Sequence, residues 1–218
     1  MTRVMPSTNP PKEEDLLSYV KELQEIGVDF LHCDVMDGKF VEAKCLPIEL
    51  INEIKNNSML NLDVHLMIEN PLKTLKKYCE MLPCYITLHY ESFDKAVDLI
   101  KAIEIIKSYN IRVGISLKPN TEISNIACYL PLIDMVLIMS VEPGKSGQKF
   151  MPMALKKIKE LKRLIDKNRF KVKIEVDGGI NEENAKAVVF NGADYLVMGS
   201  AFYNSKNRKK LLKQIQDL

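Results

Sequence analysis

Residues 30–37, FLHCDVMD, have the apolar and β-branched composition of a buried strand, yet they contain His32, Asp34 and Asp37. Alternate residues of a strand point the same way, so His32 and Asp34 share one face. A buried imidazole beside a buried carboxylate is costly unless each has a partner. Two interpretations are open at this point: a solvated strand end that leads into the following DG turn, or two ligands that converge on a metal ion.

Seven other short apolar runs resemble this one and alternate with amphipathic stretches along the chain. The eight runs are residues 3–7, 30–37, 61–68, 85–91, 112–118, 135–141, 171–177 and 195–200. Strict alternation of strands and helices is typical of parallel βα units, and eight strands favour closure into a barrel over an open sheet. We therefore predict one α/β domain over residues 1–218, a (β/α)8 TIM barrel with its site at the C-terminal ends of eight parallel strands.

Two of the amphipathic stretches show a clear helical stripe. Residues 13–27 place Leu16, Val20 and Leu23 on one face, and Gly27 supplies a C-terminal stop. Residues 154–166 carry a second stripe of apolar side chains. That stripe is Leu155, Ile158, Leu161 and Leu164.

Composition excludes several classes of protein. The formal net charge is +2, and Lys and Arg are spread along the chain, which argues against a nucleic-acid surface but not against small anionic substrates. The five cysteines are an odd number without CxxC spacing, so neither a disulfide framework nor a zinc knuckle is indicated. No secretory signal or membrane-spanning run is recognisable, and we expect a cytoplasmic protein without a membrane partner.

All three histidines of the chain lie on predicted strands, towards the same end of the barrel. They are His32, His65 and His89, and Asp34 and Asp177 lie on strands of the same set. A single strand histidine is more often a core residue with a satisfied partner. Three placed together with two carboxylates instead indicate a mixed imidazole–carboxylate metal site.

Glycine-containing segments after the last three strands point to the substrate. They are EPGKSGQ (142–148), DGG (177–179) and GS (199–200). Barrels of this type commonly bind phosphate on the loops after strands seven and eight. Glycine has no side chain, so the main-chain N–H groups of such loops are accessible to an anion. Each glycine alone would mark a plain turn, but together they favour a phosphorylated small molecule as the partner.

Five ordered motifs carry a resemblance to a known family over almost the whole chain. They are HCDVMDG (32–38), LDVHLMI (62–68), SVEPG..GQ.F (140–150), EVDGGI (175–180) and GADYLVMGSA (192–201), preceded by Pro6–Ser7. In this order and at these separations the sequence resembles the ribulose-phosphate 3-epimerases. The resemblance implies conversion between D-ribulose 5-phosphate and D-xylulose 5-phosphate at C3, a reaction of the pentose phosphate pathway.

The resemblance also implies a role for individual residues. One divalent ion (zinc, iron(II), manganese or cobalt) would be held by His32, Asp34, His65 and Asp177, and Asp34 and Asp177 would be the acid–base pair. Residues implied in substrate binding are Ser7, Met36, His65, Met67, Met139, Gly144, Lys145, Ser146, Gly147, Gly178, Gly179, Gly199 and Ser200. Family members form dimers or hexamers, so a homo-oligomer is compatible with the resemblance.

Inversion at C3 of a 2-keto sugar phosphate suits these residue types. A proton α to a carbonyl leaves one face and another returns to the opposite face, through an enediolate that a divalent cation would stabilise. Two carboxylates, one on each face, can exchange acid and base roles with reaction direction.

The sequence departs from the family pattern in three loops. GKSG at 144–147 stands where Gly-Phe-Gly-Gly is typical, EAKCLP follows the second strand, and STNPPKEED follows the first. These changes bear on the choice of substrate more than on the type of reaction. Three alternatives to the pentose enzyme are open: an allulose 6-phosphate 3-epimerase, a non-catalytic phosphate-binding barrel, and a decarboxylase of related fold. The decarboxylase is disfavoured because His65 occupies the place of its lysine.

Overall fold

The computed structural model describes residues 2–218, and its centre is one curled sheet. The strands are β1 (Arg3–Pro6), β2 (Phe30–Asp37), β3 (Lys44–Cys45), β4 (Asn61–Met67), β5 (Tyr85–His89), β6 (Arg112–Leu117), β7 (Met135–Met139), β8 (Lys173–Asp177) and β9 (Tyr195–Met198). Their order is β1-β9-β8-β7-β6-β5-β4-β2-β3, and every neighbouring pair is parallel except β2 with β3.

The two ends of the parallel sheet meet beyond β1. Ser7 forms an isolated parallel bridge with His32, and the N–H of Thr8 donates to the carbonyl oxygen of His32 at 2.9 Å. The eight long strands therefore close around an interior, as the predicted (β/α)8 barrel requires.

Helices cover the outside of the sheet. They are α1 (Glu13–Glu25), α2 (Ile48–Asn57), α3 (Leu75–Glu80), α4 (Ala96–Ser108), α5 (Met153–Asn168), α6 (Ala185–Phe190), α7 (Ser200–Tyr203) and α8 (Arg208–Gln216). Turns of 3-10 helix occur at Pro71–Lys73, Tyr90–Ser92 and Ile123–Leu132. Across residues 2–218, no helix combines the length and apolar character needed to cross a membrane.

The predicted stripe of α1 is buried, and the helix stops before Gly27, whose φ of +89° suits glycine. The buried face of α5 is rotated slightly from the predicted stripe. Its buried residues are Ala154, Ile158, Leu161 and Ile165. Leu155 and Leu164 lie at the edges of the apolar face and are only partly buried, since the buried face follows a 3.6-residue period.

Only β2 has the predicted bounds, and one strand was not predicted. β1, β4 and β6 end one residue before the predicted end, and β7 and β9 end two residues before it. β5 ends at His89 because Tyr90–Ser92 turn into a 3-10 helix, and β8 begins at Lys173. β3 pairs antiparallel with the end of β2 and is only two residues long, too short for a periodic signal.

The interior of the barrel is layered along its axis. Near the N-terminal ends of the strands, Phe30, Tyr85 and Tyr195 pack together with Met5 and Met135. Polar side chains fill the layers above them. The apolar base closes one end of the barrel, so the polar layers open only towards the C-terminal ends of the strands.

Candidate metal and acid–base site

Four side chains on three strands converge at the C-terminal mouth of the barrel. His32 and Asp34 lie on β2, His65 on β4 and Asp177 at the end of β8, and one possible ligand atom from each lies within 4.8 Å of all the others. The parallel register sets Asp34 beside His65. His32 Nε2 lies 3.2 Å from His65 Nδ1, and Asp34 Oδ1 lies 3.4 Å from each of these nitrogens.

This donor set fits a divalent transition-metal ion. Two imidazole nitrogens and two carboxylate oxygens are ligands that zinc, iron(II), manganese and cobalt accept, and all four side chains belong to rigid strands. The four residues named in the sequence analysis therefore form one cluster. The identity of an ion does not follow from the donor types alone.

The two aspartates have opposite charge preferences. Burial would raise the pKa of Asp34, but the positive charge of His32 and the close contacts with the His32 and His65 rings outweigh it and hold that pKa well below its usual range. Burial and the nearby Asp34 carboxylate raise the pKa of Asp177 to about 7. In the protein without a bound ion, Asp34 is therefore ionised near neutral pH, where Asp177 is still partly protonated.

Hydroxyl groups position both aspartates. Ser7 Oγ donates to Asp34 Oδ2 at 2.5 Å, and the N–H of Asp34 donates to Thr8 Oγ1 at 3.2 Å. Ser140 Oγ lies 2.9 Å from the carbonyl oxygen of Asp177 and 2.7 Å from that of Gly178. The Asp34 carboxylate is thus held by a direct hydrogen bond, whereas Asp177 is positioned through its main chain.

His32 has an outer partner below the cluster. Its Nδ1 lies 2.6 Å from Asp63 Oδ2, and Asp63 Oδ1 accepts a hydrogen bond from Thr87 Oγ1 at 3.0 Å. Burial disfavours the imidazolium, but the Asp34 and Asp63 carboxylates outweigh it and raise the pKa of His32 well above its usual value. An imidazole that donates to a carboxylate through Nδ1 presents Nε2 to the cluster, as a ligand histidine does.

Glu175 lies in the same buried layer. Its Oε1 is 3.5 Å from His32 Nδ1, and neither carboxyl oxygen has a hydrogen-bond partner within residues 2–218. Burial and the Asp63 charge raise the pKa of Glu175 to about 8, so the carboxyl is largely neutral at pH 7.

His65 has a different outer partner. Its Nε2 lies 2.9 Å from His89 Nε2, and His89 Nδ1 lies 3.2 Å from Glu91 Oε2. Burial lowers the pKa of His65 and lowers that of His89 to about 4. Although burial opposes ionisation of Glu91, hydrogen bonds from His89 and Thr121 lower its pKa to about 2.

A cleft above the cluster contains the residues implied in substrate binding. Apart from His65, which is buried beneath it, all of them line the cleft: Ser7, Met36, Met67, Met139, Gly144, Lys145, Ser146, Gly147, Gly178, Gly179, Gly199 and Ser200. The three methionines are buried side chains next to Asp34 and Asp177, so they also fill core space.

The loops after β7 and β8 meet at one wall of the cleft. Gly178 and Gly179 have φ values of +122° and +67°, and a Cβ on Gly179 would overlap the main chain of Phe150. Gln148 Nε2 donates to the carbonyl oxygens of Glu142 and Lys145, at 2.6 and 2.9 Å, and so holds the GKSG loop closed. Only glycine permits this close approach of the two loops.

Asp37 has the structural role expected of a turn residue. Its Oδ1 accepts the N–H groups of Lys39 and Phe40, at 2.9 and 3.0 Å, and its Oδ2 accepts that of Glu69 at 2.8 Å. Asp37 therefore shapes the turn at the end of β2 and lies outside the four-residue cluster.

Several buried partners were not predicted from the sequence. They are Asp63, Thr87, Glu175, Glu91 and Ser140, none of which contributes a ligand atom to the four-residue cluster. Strand alternation was the available signal for two of them, because Asp63 and Glu175 lie two residues before His65 and Asp177 and so share their faces. His89, which the sequence placed with the other two histidines, lies outside the cluster and contacts His65 instead.

Comparison with known proteins agrees with the geometry. The sequence model of the ribulose-phosphate 3 epimerase family matches residues 3–203. The chain is 36% identical to a ribulose-phosphate 3-epimerase of Bacillus subtilis over 217 residues, which cover 99% of both chains. It is 39% identical to a ribulose-phosphate 3-epimerase of Methanocaldococcus jannaschii over 198 residues, which cover 91% of this chain and 82% of the relative.

Solved structures support the barrel fold. A 3-keto-L-gulonate-6-phosphate decarboxylase from Vibrio cholerae superposes with a TM-score of 0.73 at 12% identity, over 99% of this chain and 96% of that one. A 3-hexulose-6-phosphate synthase from Salmonella typhimurium gives a TM-score of 0.71 at 15% identity, over 99% and 97% of the two chains. At such identities the likeness concerns the fold alone, and it confirms the predicted α/β barrel.

Proposed function

The chain belongs to the ribulose-phosphate 3-epimerase family, whose members are isomerases, and we propose that it interconverts D-ribulose 5-phosphate and D-xylulose 5-phosphate at C3. The observation that carries this proposal is the pairing of Asp34 and Asp177 across the mouth of the barrel, with opposite charge preferences. Epimerisation needs one carboxylate and one carboxylic acid at the same moment, on opposite faces of a flat intermediate.

The two aspartates divide the proton transfers between them. In one direction Asp34 takes the C3 proton as the ionised group, and Asp177 returns its own proton to the opposite face of the carbon. In the other direction the roles are exchanged. Ser7, which donates to Asp34, orients that carboxylate, and Ser140 fixes the main chain that carries Asp177.

His32, Asp34, His65 and Asp177 would hold the divalent ion in this proposal, because their donor atoms converge and their types suit it. When bound, the ion supplies positive charge next to the oxygens that become negative as the C3 proton leaves. The methionines around the cleft exclude water from the reacting carbons, which strengthens these electrostatic interactions.

The glycine loops supply the phosphate end of the cleft. No main-chain carbonyl within residues 2–218 accepts the N–H groups of Gly179 and Gly199, which lie beyond the ends of β8 and β9, so these two groups are available to an anion. Lys145 lies on the same wall and adds a cation to it. A terminal phosphate bound here would place the sugar carbons over the two aspartates.

Solvent deuterium incorporation at C3 of ribulose 5-phosphate tests the mechanism. We expect Asp34→Asn and Asp177→Asn each to lose exchange and turnover by a factor of 100 or more, while the exposed Asp94→Asn variant retains both. Metal content is measured for each protein, because exchange lost with the ion still bound isolates the proton-transfer roles. A metal-loaded wild-type enzyme without exchange would refute the proposal.

Rates on two substrates test the specificity. A strong preference for D-allulose 6-phosphate over ribulose 5-phosphate would assign the same chemistry to a six-carbon substrate. If no sugar phosphate turned over and no stoichiometric ion were bound, the barrel would be a non-catalytic binding protein instead.

A further inference from the structure

Glu91 is the terminal group of a hydrogen-bonded chain that reaches a ligand atom of the candidate metal site. The chain runs from Glu91 Oε2 to His89 Nδ1 at 3.2 Å, and from His89 Nε2 to His65 Nε2 at 2.9 Å. His65 Nδ1, on the far side of that ring, is the atom that faces His32 and Asp34. We propose that Glu91 and His89 are positioning residues which fix the tautomer of His65, and so leave its Nδ1 free to bind a metal ion.

The direction of each hydrogen bond follows from counting protons, starting at Glu91. Its Oε1 accepts the N–H of Lys118 at 2.7 Å and the hydroxyl of Thr121, which are the contacts of a carboxylate. A carboxylate only accepts, so His89 must donate to Oε2 from Nδ1. His89 is fully buried, and its neutral form then has a bare Nε2.

That bare nitrogen decides the state of His65. Only one proton fits between two nitrogens 2.9 Å apart, so His65 donates it from Nε2. The two rings lie at 26° to each other with centroids 4.9 Å apart, a near-coplanar arrangement that suits an in-plane N–H···N bond. A neutral His65 with its proton on Nε2 has a lone pair on Nδ1, pointing into the cluster.

His32 has a shorter connection to its carboxylate, because its Nδ1 lies directly on Asp63, and the proton that it would keep with a metal ion on Nε2 is the one on Nδ1. The two histidines therefore present opposite ring atoms to the same point, Nε2 of His32 and Nδ1 of His65. In its other neutral tautomer His65 would carry its proton on Nδ1 and could not bind a metal ion there. The hydrogen-bonded chain from Glu91 explains why the proton is on Nε2 instead.

Glu91→Gln tests the inference because it reverses the chain with almost no change in shape. The amide oxygen takes the place of Oε1 opposite Lys118 and Thr121, so the NH2 group faces His89 Nδ1. His89 then accepts at Nδ1 and donates from Nε2, which moves the His65 proton onto Nδ1. The inference rests on the metal site of the proposed function, and the protonation of His65 can also be measured without metal.

Nitrogen-15 spectra of the imidazoles provide that measurement, and only three histidines contribute signals. In metal-free wild-type protein we expect His65 protonated on Nε2 and His89 on Nδ1, with both assignments reversed in Glu91→Gln. Zinc affinity, measured by chelator competition, should fall about 10- to 100-fold in that variant. Thr121→Val, which keeps the carboxylate, and the exposed Glu69→Gln should retain wild-type tautomers and affinity.

Two results would overturn the inference: a wild-type His65 protonated on Nδ1, or a Glu91→Gln variant that binds zinc as tightly as the wild type. A wild-type protein that binds no zinc, iron(II), manganese or cobalt would refute the metal site of the proposed function. In that case the spectra of the metal-free protein would still decide the hydrogen-bonded chain.

Discussion

Thr87→Val should weaken both the fold and the candidate metal site, although Thr87 contributes no ligand atom. Thr87 and Asp63 are both fully buried, and the Thr87 hydroxyl donates to Asp63 Oδ1 at 3.0 Å. Asp63 in turn holds His32 Nδ1 through its other oxygen, at 2.6 Å. Valine keeps the size and branching of threonine, so the change removes one hydrogen bond and leaves a buried carboxylate oxygen without a donor.

The expected cost follows from the charge on the acceptor. A hydrogen bond to a charged group contributes about 1.5–3 kcal/mol to folding, and a buried acceptor left without its donor loses at least that much. For a chain of 218 residues each kcal/mol corresponds to about 2–4 °C, so the melting temperature of the metal-free protein should fall by about 3–12 °C. Zinc affinity should fall about tenfold, because Asp63 no longer holds His32 in one orientation.

Denaturant unfolding of the chelator-treated protein measures the first effect, and chelator competition measures the second. Thr87→Ser is the matched control: it retains the hydroxyl but loses a buried methyl group, at about 0.5–1.5 kcal/mol. We expect the serine variant to lose stability while keeping wild-type zinc affinity. If Thr87→Val changed unfolding by less than about 0.5 kcal/mol and left zinc affinity intact, the role assigned to Asp63 and Thr87 would be wrong.

Three further predictions concern the substrate cleft, the C-terminal helix and acid stability. Gly179→Ala should abolish turnover, because its Cβ would overlap the main chain of the neighbouring loop. In Gly27→Ala the new Cβ meets no atom within 4 Å, so this control should only lose stability, because its φ of +89° disfavours alanine. Steady-state rates and thermal melting of both variants check this. Arg208→Met should lower the free energy of unfolding by about 1 kcal/mol without changing KM. The reason is that Arg208 Nη1 contacts both carboxylate oxygens of Glu22, at 2.6 and 2.7 Å, on a partly exposed surface. Equal stability of the variant and the wild type in urea would contradict this prediction. The folded-state pKa of Glu91 is lowered to about 2, so the contribution of its charge to the free energy of unfolding should be complete above about pH 5 and lost as the pH falls towards 2. Glu91→Gln should therefore differ from wild type in stability at pH 6 but not at pH 2.

The parallel barrel was predictable from short-range rules, and so was a metal site of three histidines with Asp34 and Asp177, whereas the set of four ligands was implied by the family resemblance. Alternation along a strand puts His32 beside Asp34, and alternation of strands with helices implies parallel packing with all strand ends at one mouth. The outer partners depend on register between strands, which no single stretch of sequence encodes. His89 reaches His65 because β5 lies beside β4, and Glu91 reaches His89 because the chain turns after β5.

The different outer partners of the two histidines have an electrostatic consequence for a buried cation site. Asp63 places its carboxylate directly on His32, whereas the Glu91 carboxylate is separated from His65 by the whole ring of His89. Coulomb energy falls with distance, so the distant carboxylate adds little negative charge to a cluster that already contains two aspartates. Hydrogen-bond direction, by contrast, passes through His89 undiminished, because the ring accepts on one side when it donates on the other. In the proposed metal site the chain can therefore fix the protonation of His65 without bringing a further carboxylate next to a bound ion. Replacement of His89 by a carboxylate that contacts His65 directly should strengthen cation binding but disturb the charge balance between Asp34 and Asp177.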